Sequence, residues 1–583
     1  MAHSSNIFDS QPIRVQNVNG FDLSHLNCGT ALCGTLTPVL CRLLMQDTKF
    51  DLGVSVQVEL PALATNFFGR IDANIEVFFV PCSILYGGWK QFISNQANNM
   101  FPMYRPSQSS GSANLYPVSQ FDLPRFNLSD ATLQSRVQTL DQNQYCLLDY
   151  LGMMSVGLYA TSTGGSQDLN LMSLLAYHRI WDVYYRNPQV TKTIFAVNPN
   201  AASSTVNQKN VSLIWHSFYS DSASSTVANN SAFGSVSSTV FPDGISVFSM
   251  RQRNYPRDYF TAVSVMPQQV PSGGTVATLG FTVAGIDPND PDASGNLSGS
   301  GAFTIASLRA VNALAKFMEA SNYDPTYEGI MRAHFGRTPS DADHDKPIYI
   351  GRCVVPIYQK SIYNTQQDTT GAYVQGSNAN PFSNSGLLGA KGAHGSFIGE
   401  GQICKGFRAG CFGYLMGLFS LVPHAMYSTG IDKHFTLLSI GDFPFPELQS
   451  VGMDSVYQSE LYYSGNNNDF AQTFGYIPRY SYWKYIDDQV HGLLRQGQSL
   501  EAFVLQRRFA YAPQYITTEF CEIPTNALDS VFASTAEVSH FSCWYEIFWV
   551  FKAVMPLAAF CVPTLGELQD THTIKVSQGG SKL

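Results

Sequence analysis

The chain has 583 residues, with 34 Lys and Arg against 43 Asp and Glu, which gives a formal net charge of −9. A protein that neutralises a nucleic acid by bulk charge is normally basic, so the composition excludes that class and leaves only local contacts. Charged residues make up only 13% of the chain, while Phe and Tyr number 39 and 30. This combination favours large protein–protein interfaces, and the alternative is a large monomer with a neutral polar surface.

The cysteines and the apolar runs indicate where the protein folds. Eleven Cys are scattered without a CxxC pair, which is neither a disulfide framework nor a zinc pattern, so we expect reduced, mostly buried thiols. Residues 1–15 contain no apolar signal segment. The apolar runs 410–422 and 547–562 are too short, or are interrupted by Lys552 and Pro556, so no membrane insertion is expected. These features favour folding in the cytoplasm.

Residues 1–49 show little periodicity and predict an extended N-terminal arm. The clearest pattern in the chain follows this arm. Residues 54–60 alternate apolar and polar side chains, which predicts a strand with one apolar face. Two long strands in this region, the second over residues 71–80, predict a β-sandwich that later segments complete.

The second strand changes character along its length. Its first half alternates, which predicts a half-exposed polar face that includes Asp72 and Glu76. Phe78 then breaks the alternation, so the strand becomes apolar on both faces, as happens when a strand enters a packed interior. We therefore expect Val77 and Phe79 to lie in the sandwich core.

Helical spacing occurs in three places between the strand regions. Apolar residues over Leu171–Trp181 follow three-four spacing, with Asp168 as the expected N-cap. A buried structural role is favoured for His178 on this helix over a role as a ligand. Two more helices are predicted over residues 305–318 and 325–336.

Two neutral segments, at 196–245 and 270–302, are rich in Ser, Thr, Asn and Gly and lack apolar stripes. They predict excursions over a surface, with a disordered linker as the alternative. Apolar segments of β character return over residues 502–562. Strands concentrated at 50–81 and 502–562, with large insertions between them, predict a single, mainly β domain over residues 50–583. A two-domain protein is the alternative.

The sequence contains no Walker loop, HExxH, EF-hand loop, GxSxG or GxGxxG motif. Two acidic groups could gather a cation, but each lies next to turn residues, so a role in capping turns is favoured. These groups are Asp341, Asp343, His344 and Asp345, and Asp287, Asp290 and Asp292. We therefore predict no catalytic residues, no cofactor-binding residues and no metal site, while a hydrolase stays open because carboxylates and histidines are numerous enough for an acid–base pair.

The most informative polar segment is MRQRNYPRDYF, at 250–260. Arginines interleaved with aromatic rings are how proteins hold single-stranded nucleic acid, because the charge follows the backbone and the rings stack on bases. The alternatives are an inter-subunit contact and an intramolecular ion-pair segment. The candidate residues for contact with DNA or with another subunit are Arg251, Arg253, Tyr255, Arg257 and Tyr259.

Ordered sequence blocks across most of the chain resemble the major capsid protein of the Microviridae, in particular the gokushovirus-like branch of small single-stranded DNA phages. Any one block is weak, but the ordered set is specific. The blocks are FDLSH (Phe21–His25), GTLTPVL (Gly34–Leu40), QDTKFDL (Gln46–Leu52), FFVPCSILYGGWKQFI (Phe78–Ile93), LLDYLGM (Leu147–Met153), YHRIWDVYYRN (Tyr177–Asn187), RNYPRDYFTAVSVMPQ (Arg253–Gln268), the stretch Ser307–Gly351, and FGYIPRYSYWKYIDDQVHGLLR (Phe474–Arg495). The run before Asp258 departs from the family pattern, because Asn254, Tyr255 and Pro256 interrupt its basic residues.

The resemblance implies a viral jelly-roll β-sandwich of eight antiparallel strands, with long loop insertions that contain several helices. It implies a structural protein of the virion, without enzymatic activity, that assembles with copies of itself into a T=1 icosahedral shell around circular single-stranded DNA, in the cytoplasm of a bacterial host. Implied partners are an internal scaffolding protein, a DNA pilot protein, a small basic DNA-binding protein and a host surface receptor. Residues 270–302 match the position of a protrusion near the threefold axes. The rival interpretation is a carbohydrate-binding or adhesive β-sandwich protein.

Overall fold

The computed structural model describes residues 18–63, 67–85, 89, 93, 125–127, 147–153, 168–191, 193–194, 248–265, 327–337, 346–363, 391–438, 440–446, 453–532 and 541–557. The predicted excursions at 196–245 and 270–302, the predicted helix at 305–318 and both acidic groups lie outside these residues. The helix predicted over 325–336 is confirmed for its described residues. Residues 327–335 form a helix that ends at Gly336, which has a φ of 69°.

Strands make up most of the regular structure in the described ranges. In chain order they are β1 (Asn19–Asp22), β2 (His25–Ala31), β3 (Thr37–Leu44), β4 (Lys49–Glu59), β5 (Ile71–Pro81), β6 (Arg125–Asn127), β7 (Asp168–Asn170), β8 (Ile348–Pro356), β9 (Tyr358–Tyr363), β10 (Lys391–Arg408), β11 (Gly413–Pro423), β12 (Met453–Tyr457), β13 (Thr473–Pro478) and β14 (Cys543–Met555).

The helices are short. They are α1 (Cys82–Leu85), α2 (Leu147–Tyr150), α3 (Met172–Ile180), α4 (Tyr327–Phe335), α5 (Gln458–Leu461) and α6 (Thr518–Cys521), and α3 continues into a π-helical turn at Trp181–Tyr185. Turns of 3-10 helix lie at Lys433–Thr436, Ile440–Asp442, Asn467–Phe470, Ser481–Trp483, Gly492–Leu494, Glu501–Phe503 and Asp529–Val531.

Two antiparallel sheets form a β-sandwich. The first has the order β1-β14-β4-β10-β9, with β2 also paired to β14, and the second has the order β3-β11-β5-β8. The chain passes from one sheet to the other between β2 and β3, β3 and β4, and β4 and β5, so each sheet combines strands from both ends of the sequence. The mainly β sandwich with long insertions is thus confirmed. The count of eight strands is not confirmed, because β1 and β9 also join the first sheet.

The sandwich core lies between the two sheets. The inward row of β4, Val54, Val56 and Val58, is buried as the alternation predicts, and the same period of two runs along β14. On β5, Val77 and Phe79 are 0% and 1% exposed and belong to this core, which confirms the predicted register.

The second sheet is covered on its other face as well. Phe78 and Val80 of β5 pack with Leu174, Tyr177 and other residues of α3 in a separate apolar cluster. Phe78 therefore leaves the alternation because its face of the sheet meets a helical layer rather than water. A third apolar cluster, which includes Tyr259, Val456 and Phe520, joins residues 259–263 and α6 to the two-stranded β12–β13 sheet.

The predicted extended arm is wrong for residues 19–44. These residues form β1, β2 and β3, which pair with β14 and β11 in the two sheets. Residues 1–17 lie outside the described part of the chain. The arm was predicted because these short strands lack a clean alternation, and their pairing partners lie about 400 and 500 residues later in the sequence.

Two other local predictions are also wrong. Residues 501–532 contain 3-10 turns and the short helix α6 rather than strands, so among the described residues of 502–562 the returning β structure is β14. The expected N-cap Asp168 lies in β7, and the helix begins later. The backbone N–H of Met172, which has no partner within the helix, donates a hydrogen bond of 2.8 Å to Oδ1 of Asn170.

Candidate functional site

The Arg–aromatic segment at 250–260 crosses the molecule between the helical layer and the third cluster. Its backbone runs beside residues 34–36: the N–H of Leu36 donates to the carbonyl of Arg251 at 2.9 Å, and the N–H of Arg253 donates to the carbonyl of Gly34 at 2.7 Å. These bonds hold the segment beside the second sheet without making it a regular strand. Its side chains contact different parts of the molecule.

Arg251 is buried inside the chain, with 1% of its surface exposed. Its guanidinium lies 4.5 Å from the centre of the Trp181 ring, and its Nε donates to Nδ1 of His178 at 3.3 Å. His178 is itself fully buried, which agrees with the structural role predicted for it. Arg251 and His178 thus fix the segment against α3.

Arg253 forms an ion pair within the molecule. Its Nη1 lies 2.7 Å from Oε2 of Glu76 and 3.1 Å from Oγ of Ser420. The hydroxyl of Tyr185 donates to the same carboxylate, and burial together with this carboxylate holds the pKa of Tyr185 well above its ordinary value. Three chain segments therefore meet at one buried carboxylate.

The predicted half-exposed polar face of β5 is wrong. Asp72, Asn74 and Glu76 are 6%, 7% and 9% exposed. Asp72 is compensated in the same manner as Glu76, since Nε of Arg70 and Nε2 of His424 lie 2.7 and 2.9 Å from its carboxylate oxygens. Pairing with Arg70 and with Arg253 allows the carboxylates of Asp72 and Glu76 to be buried.

The two tyrosines of the segment are buried as well. Tyr255 lies against Arg507, whose guanidinium is 4.5 Å from the Tyr255 ring and 4.2 Å from the Phe520 ring. Tyr259 donates a hydrogen bond of 3.0 Å to Glu460, and its pKa is raised by burial and by that carboxylate. These contacts leave Arg257 as the member of the group with a largely exposed side chain.

A large apolar surface lies elsewhere, on two neighbouring loops. Its side chains are exposed to different extents: Leu438 90%, Ile486 83%, Ile440 79% and Phe435 71%. We call this surface the 435–493 patch and define it as Phe435, Leu438, Ile440, Phe443, Phe445, Trp483, Ile486 and Leu493.

Hydrogen bonds hold the two loops of the 435–493 patch together. The hydroxyl of Tyr482 donates to Oδ1 of Asp432 at 2.6 Å, Nε2 of Gln489 donates to Oδ2 of the same residue at 3.1 Å, and the N–H of Phe445 donates to the Tyr480 hydroxyl at 3.3 Å. Clustered exposed apolar side chains mark protein–protein interaction sites, so the patch is a candidate subunit interface. Sequence reasoning missed it, although the uncharged, aperiodic run from 435 to 441 was an available signal.

The described residues contain no group of three or more His, Cys, Asp or Glu side chains arranged to hold a metal ion. In the same part of the chain, no helix is long and apolar enough to cross a membrane. The apolar runs at 410–422 and 547–562, which are too short or interrupted for a membrane span, contain most of β11 and most of β14.

The comparison with known proteins decides the identity. The model of the family described as "Capsid protein (F protein)" matches residues 13–565. The chain belongs to this phage capsid protein family. It is 21% identical over 544 residues to capsid protein VP1 of Bdellovibrio phage phiMH2K, which covers 91% of this chain and 92% of that protein. It is 23% identical over 617 residues to capsid protein VP1 of Chlamydia phage 1, which covers 97% of this chain and 98% of that protein.

The predicted resemblance to capsid proteins of the Microviridae is thereby confirmed, since both phages are gokushoviruses. A phage capsid protein has a structural role in the virion and forms a shell from copies of itself. For such a protein the functional site is a set of interfaces rather than a catalytic centre, which agrees with the low charge and the exposed 435–493 patch.

Proposed function

We propose that this capsid protein assembles into a closed T=1 icosahedral shell that encloses a circular single-stranded DNA genome, in the cytoplasm of a bacterial host. The 435–493 patch carries this proposal, because its apolar side chains require cover that the described part of the chain does not supply. An interface repeated by closed symmetry covers the same patch on every copy and stops growth at one particle size.

The charge of the chain defines what else the particle needs. With a formal net charge of −9, the capsid protein does not neutralise a genome, so we propose a small basic DNA-binding protein as a partner inside the shell. We also propose three further partners: an internal scaffolding protein, a DNA pilot protein and a host surface receptor. We also propose that residues 196–245 and 270–302 face the outside of the particle, with 270–302 in the threefold protrusion.

The segment at 250–260 remains a proposed contact with DNA or with a neighbouring subunit. The burial of Arg251, Tyr255 and Tyr259 argues that these three residues support the segment and that any such contact is made through Arg257, with Arg253 behind it. A substitution at Arg253 therefore alters the fold as well as the contact, and Arg257 is the cleaner position to test.

Assembly tests the proposed function directly. The full chain is co-expressed with its scaffolding partner and examined by size-exclusion chromatography and electron microscopy, and the nucleic acid in the particles is typed with nucleases specific for single strands. We expect particles of one size that contain circular single-stranded DNA. Monomers or small oligomers under all conditions would contradict the proposal and favour the carbohydrate-binding or adhesive alternative.

Substitutions in the patch identify the interface. Leu438→Glu with Ile486→Glu places two charges in the 435–493 patch, and we expect folded subunits that no longer form particles. Ile398→Glu on the outer face of β10 is the matched control, since Ile398 is 73% exposed and lies outside the patch. Normal assembly of the double variant would show that the patch is not an essential interface.

A further inference from the structure

An open cleft of about 530 Å³ lies where β5 and β8 meet the 250–260 segment. Its lining contains five guanidinium groups, from Arg70, Arg186, Arg253, Arg257 and Arg352, against the carboxylates of Asp72 and Glu76. We call it the arginine cleft. A local excess of positive charge in a chain with a net charge of −9 marks this cleft as a place where an anion is favoured.

Two of these arginines carry charge that the molecule leaves available. Arg70, Arg186 and Arg253 are paired with carboxylates at 2.7, 2.9 and 2.7 Å. Arg257 and Arg352 are exposed, and neither forms an ion pair with another described residue. The paired arginines shape the wall of the cleft, and the two exposed ones can bind phosphate groups.

Aromatic rings lie next to this charge. The rings of Phe78 and Tyr184 are 4.9 Å apart, those of Phe78 and Tyr349 are 5.5 Å apart, and those of Tyr184 and Tyr349 are 6.4 Å apart. Tyr184 and Tyr349 are 38% and 42% exposed, so both present ring surface to an occupant of the cleft. Stacking on such rings holds unpaired bases without reading their sequence.

Asn74 supplies an independent indication of a ligand. It lines the arginine cleft, it is 93% buried, with 7% of its surface exposed, and its Oδ1 has no hydrogen-bond partner in the described part of the chain. A buried acceptor without a partner is costly and is rare in folded proteins. The exocyclic amine of a nucleobase is a donor that would satisfy it.

We propose that the arginine cleft binds a short stretch of single-stranded nucleic acid, with phosphates at Arg257 and Arg352, a base against Tyr184 and Tyr349, and a base amine at Asn74. An acidic peptide would use the arginines but would leave the rings without a stacking partner, so nucleic acid is favoured. The proposal rests on the proposed enclosure of single-stranded DNA and adds the place and the chemistry of contact.

Binding of labelled oligonucleotides to the full-length protein tests this assignment. The probes are fluorescein-labelled oligo(dC) and oligo(dT) of about 12 nucleotides, within the size range of single-strand sites, and affinity is measured by fluorescence anisotropy at several salt concentrations. Arg257→Gln with Arg352→Gln is expected to weaken oligo(dC) binding roughly 10-fold and to reduce the slope of log affinity against log salt by about 1.4.

Matched controls separate the cleft from general electrostatics. Arg42→Gln with Arg337→Gln removes the same charge from two exposed arginines outside the cleft, and we expect at most about a 2-fold loss. Because cytosine carries an exocyclic amine and thymine does not, the wild type should prefer oligo(dC), and Asn74→Leu should abolish that preference. Melting temperatures of all variants are measured to exclude unfolding.

Several results would overturn the proposal: no oligonucleotide binding by the wild type, equal losses in the two double variants, or displacement of the probe by polyglutamate as readily as by unlabelled oligonucleotide. The last result would assign the cleft to a protein partner. Typing the nucleic acid in wild-type particles is separate from these measurements. Particles with single-stranded DNA but unaffected cleft variants would overturn the cleft alone, whereas particles without such DNA would contradict the proposed function itself.

Discussion

The indole Nε1 of Trp549 donates a hydrogen bond of 3.1 Å to the backbone carbonyl of Val39, across the interior of the sandwich. Trp549 lies on β14 in the first sheet and Val39 on β3 in the second, and both are fully buried. Gly417 on β11 leaves room for the ring, since a Cβ there would lie 3.2 Å from the indole and 3.0 Å from Leu40. One side chain thus links the two sheets by a directional bond as well as by packing.

Replacing Trp549 by Phe should lower the free energy of unfolding by about 1–3 kcal/mol, through the lost hydrogen bond and the smaller ring. The carbonyl of Val39 keeps a second bond, from Nδ2 of Asn27 at 2.9 Å, which limits the loss. Chemical unfolding of the soluble subunit measures the effect. An unchanged free energy of unfolding would show that the bond contributes nothing to stability.

Phe79→Ala should cost about 3–5 kcal/mol, because it removes a large side chain from the core and leaves a cavity. Phe79 is 1% exposed, and its ring centre lies 5.7 Å from that of Phe407. Phe548→Ala is the control, since Phe548 is 43% exposed on the outer face of β14. Equal melting temperatures for the two variants would mean that the register of β5 is wrong.

Glu76→Gln should destabilise the subunit by about 3–5 kcal/mol, because it leaves the guanidinium of Arg253 without its carboxylate in a mostly buried place. Replacing both residues by Met removes the unpaired charge and should recover much of the loss. A double-mutant cycle in chemical unfolding measures the coupling. The single substitutions of the cycle are Glu76→Met and Arg253→Met. Additive effects of these two would contradict the buried ion pair.

Stability should depend on pH through Asp487. Burial and the nearby Asp258 carboxylate raise its pKa from 3.8 to about 7, and the N–H of Tyr259 donates to it at 3.4 Å. Because the folded pKa lies above the unfolded one, the contribution of Asp487 to stability is fully present below pH 3.8 and is lost as the pH rises through about 7.

Asp487→Asn keeps the acceptor for Tyr259 and removes the titration. We expect the variant to be more stable than the wild type at pH 8 and the melting temperature to change less between pH 5 and pH 8 than in the wild type. Asp51→Asn, at a partly buried position of β4, is the control for a general charge effect, since asparagine keeps the acceptor for the N–H of Gly406. A wild-type pH profile retained by the Asp487 variant would assign the dependence to another group.

The predictable part of the fold is the part with local periodicity. The alternation of Val54, Val56 and Val58 with polar residues predicts β4, because one face of this strand meets the core and the other does not. β11 gives no such signal: all eleven of its residues are buried, so GYLMGLFSLVP shows an apolar run without a period. β10 could not be predicted from its sequence either, because its glycines break the apolar–polar alternation. They allow neighbours to approach closely, as at Gly395 beside Leu60.

The candidate sites could be predicted only in part, because their contacts join residues far apart in sequence. The segment around Arg253 was visible as arginine beside tyrosine, yet its partner Glu76 lies 177 residues away. The sequence offers no means to tell an ion pair at that distance from a free cation. The same limit explains why the sequence does not indicate that Arg257 and Arg352 line one cleft, since the folded chain alone brings them together.

A cryo-electron microscopy reconstruction of particles assembled from the full chain tests the central claim most directly. The account predicts a closed T=1 shell in which Leu438 and Ile486 of the 435–493 patch are buried against a neighbouring subunit. A closed shell that leaves the patch exposed to solvent, or a chain that forms no closed shell, would contradict it.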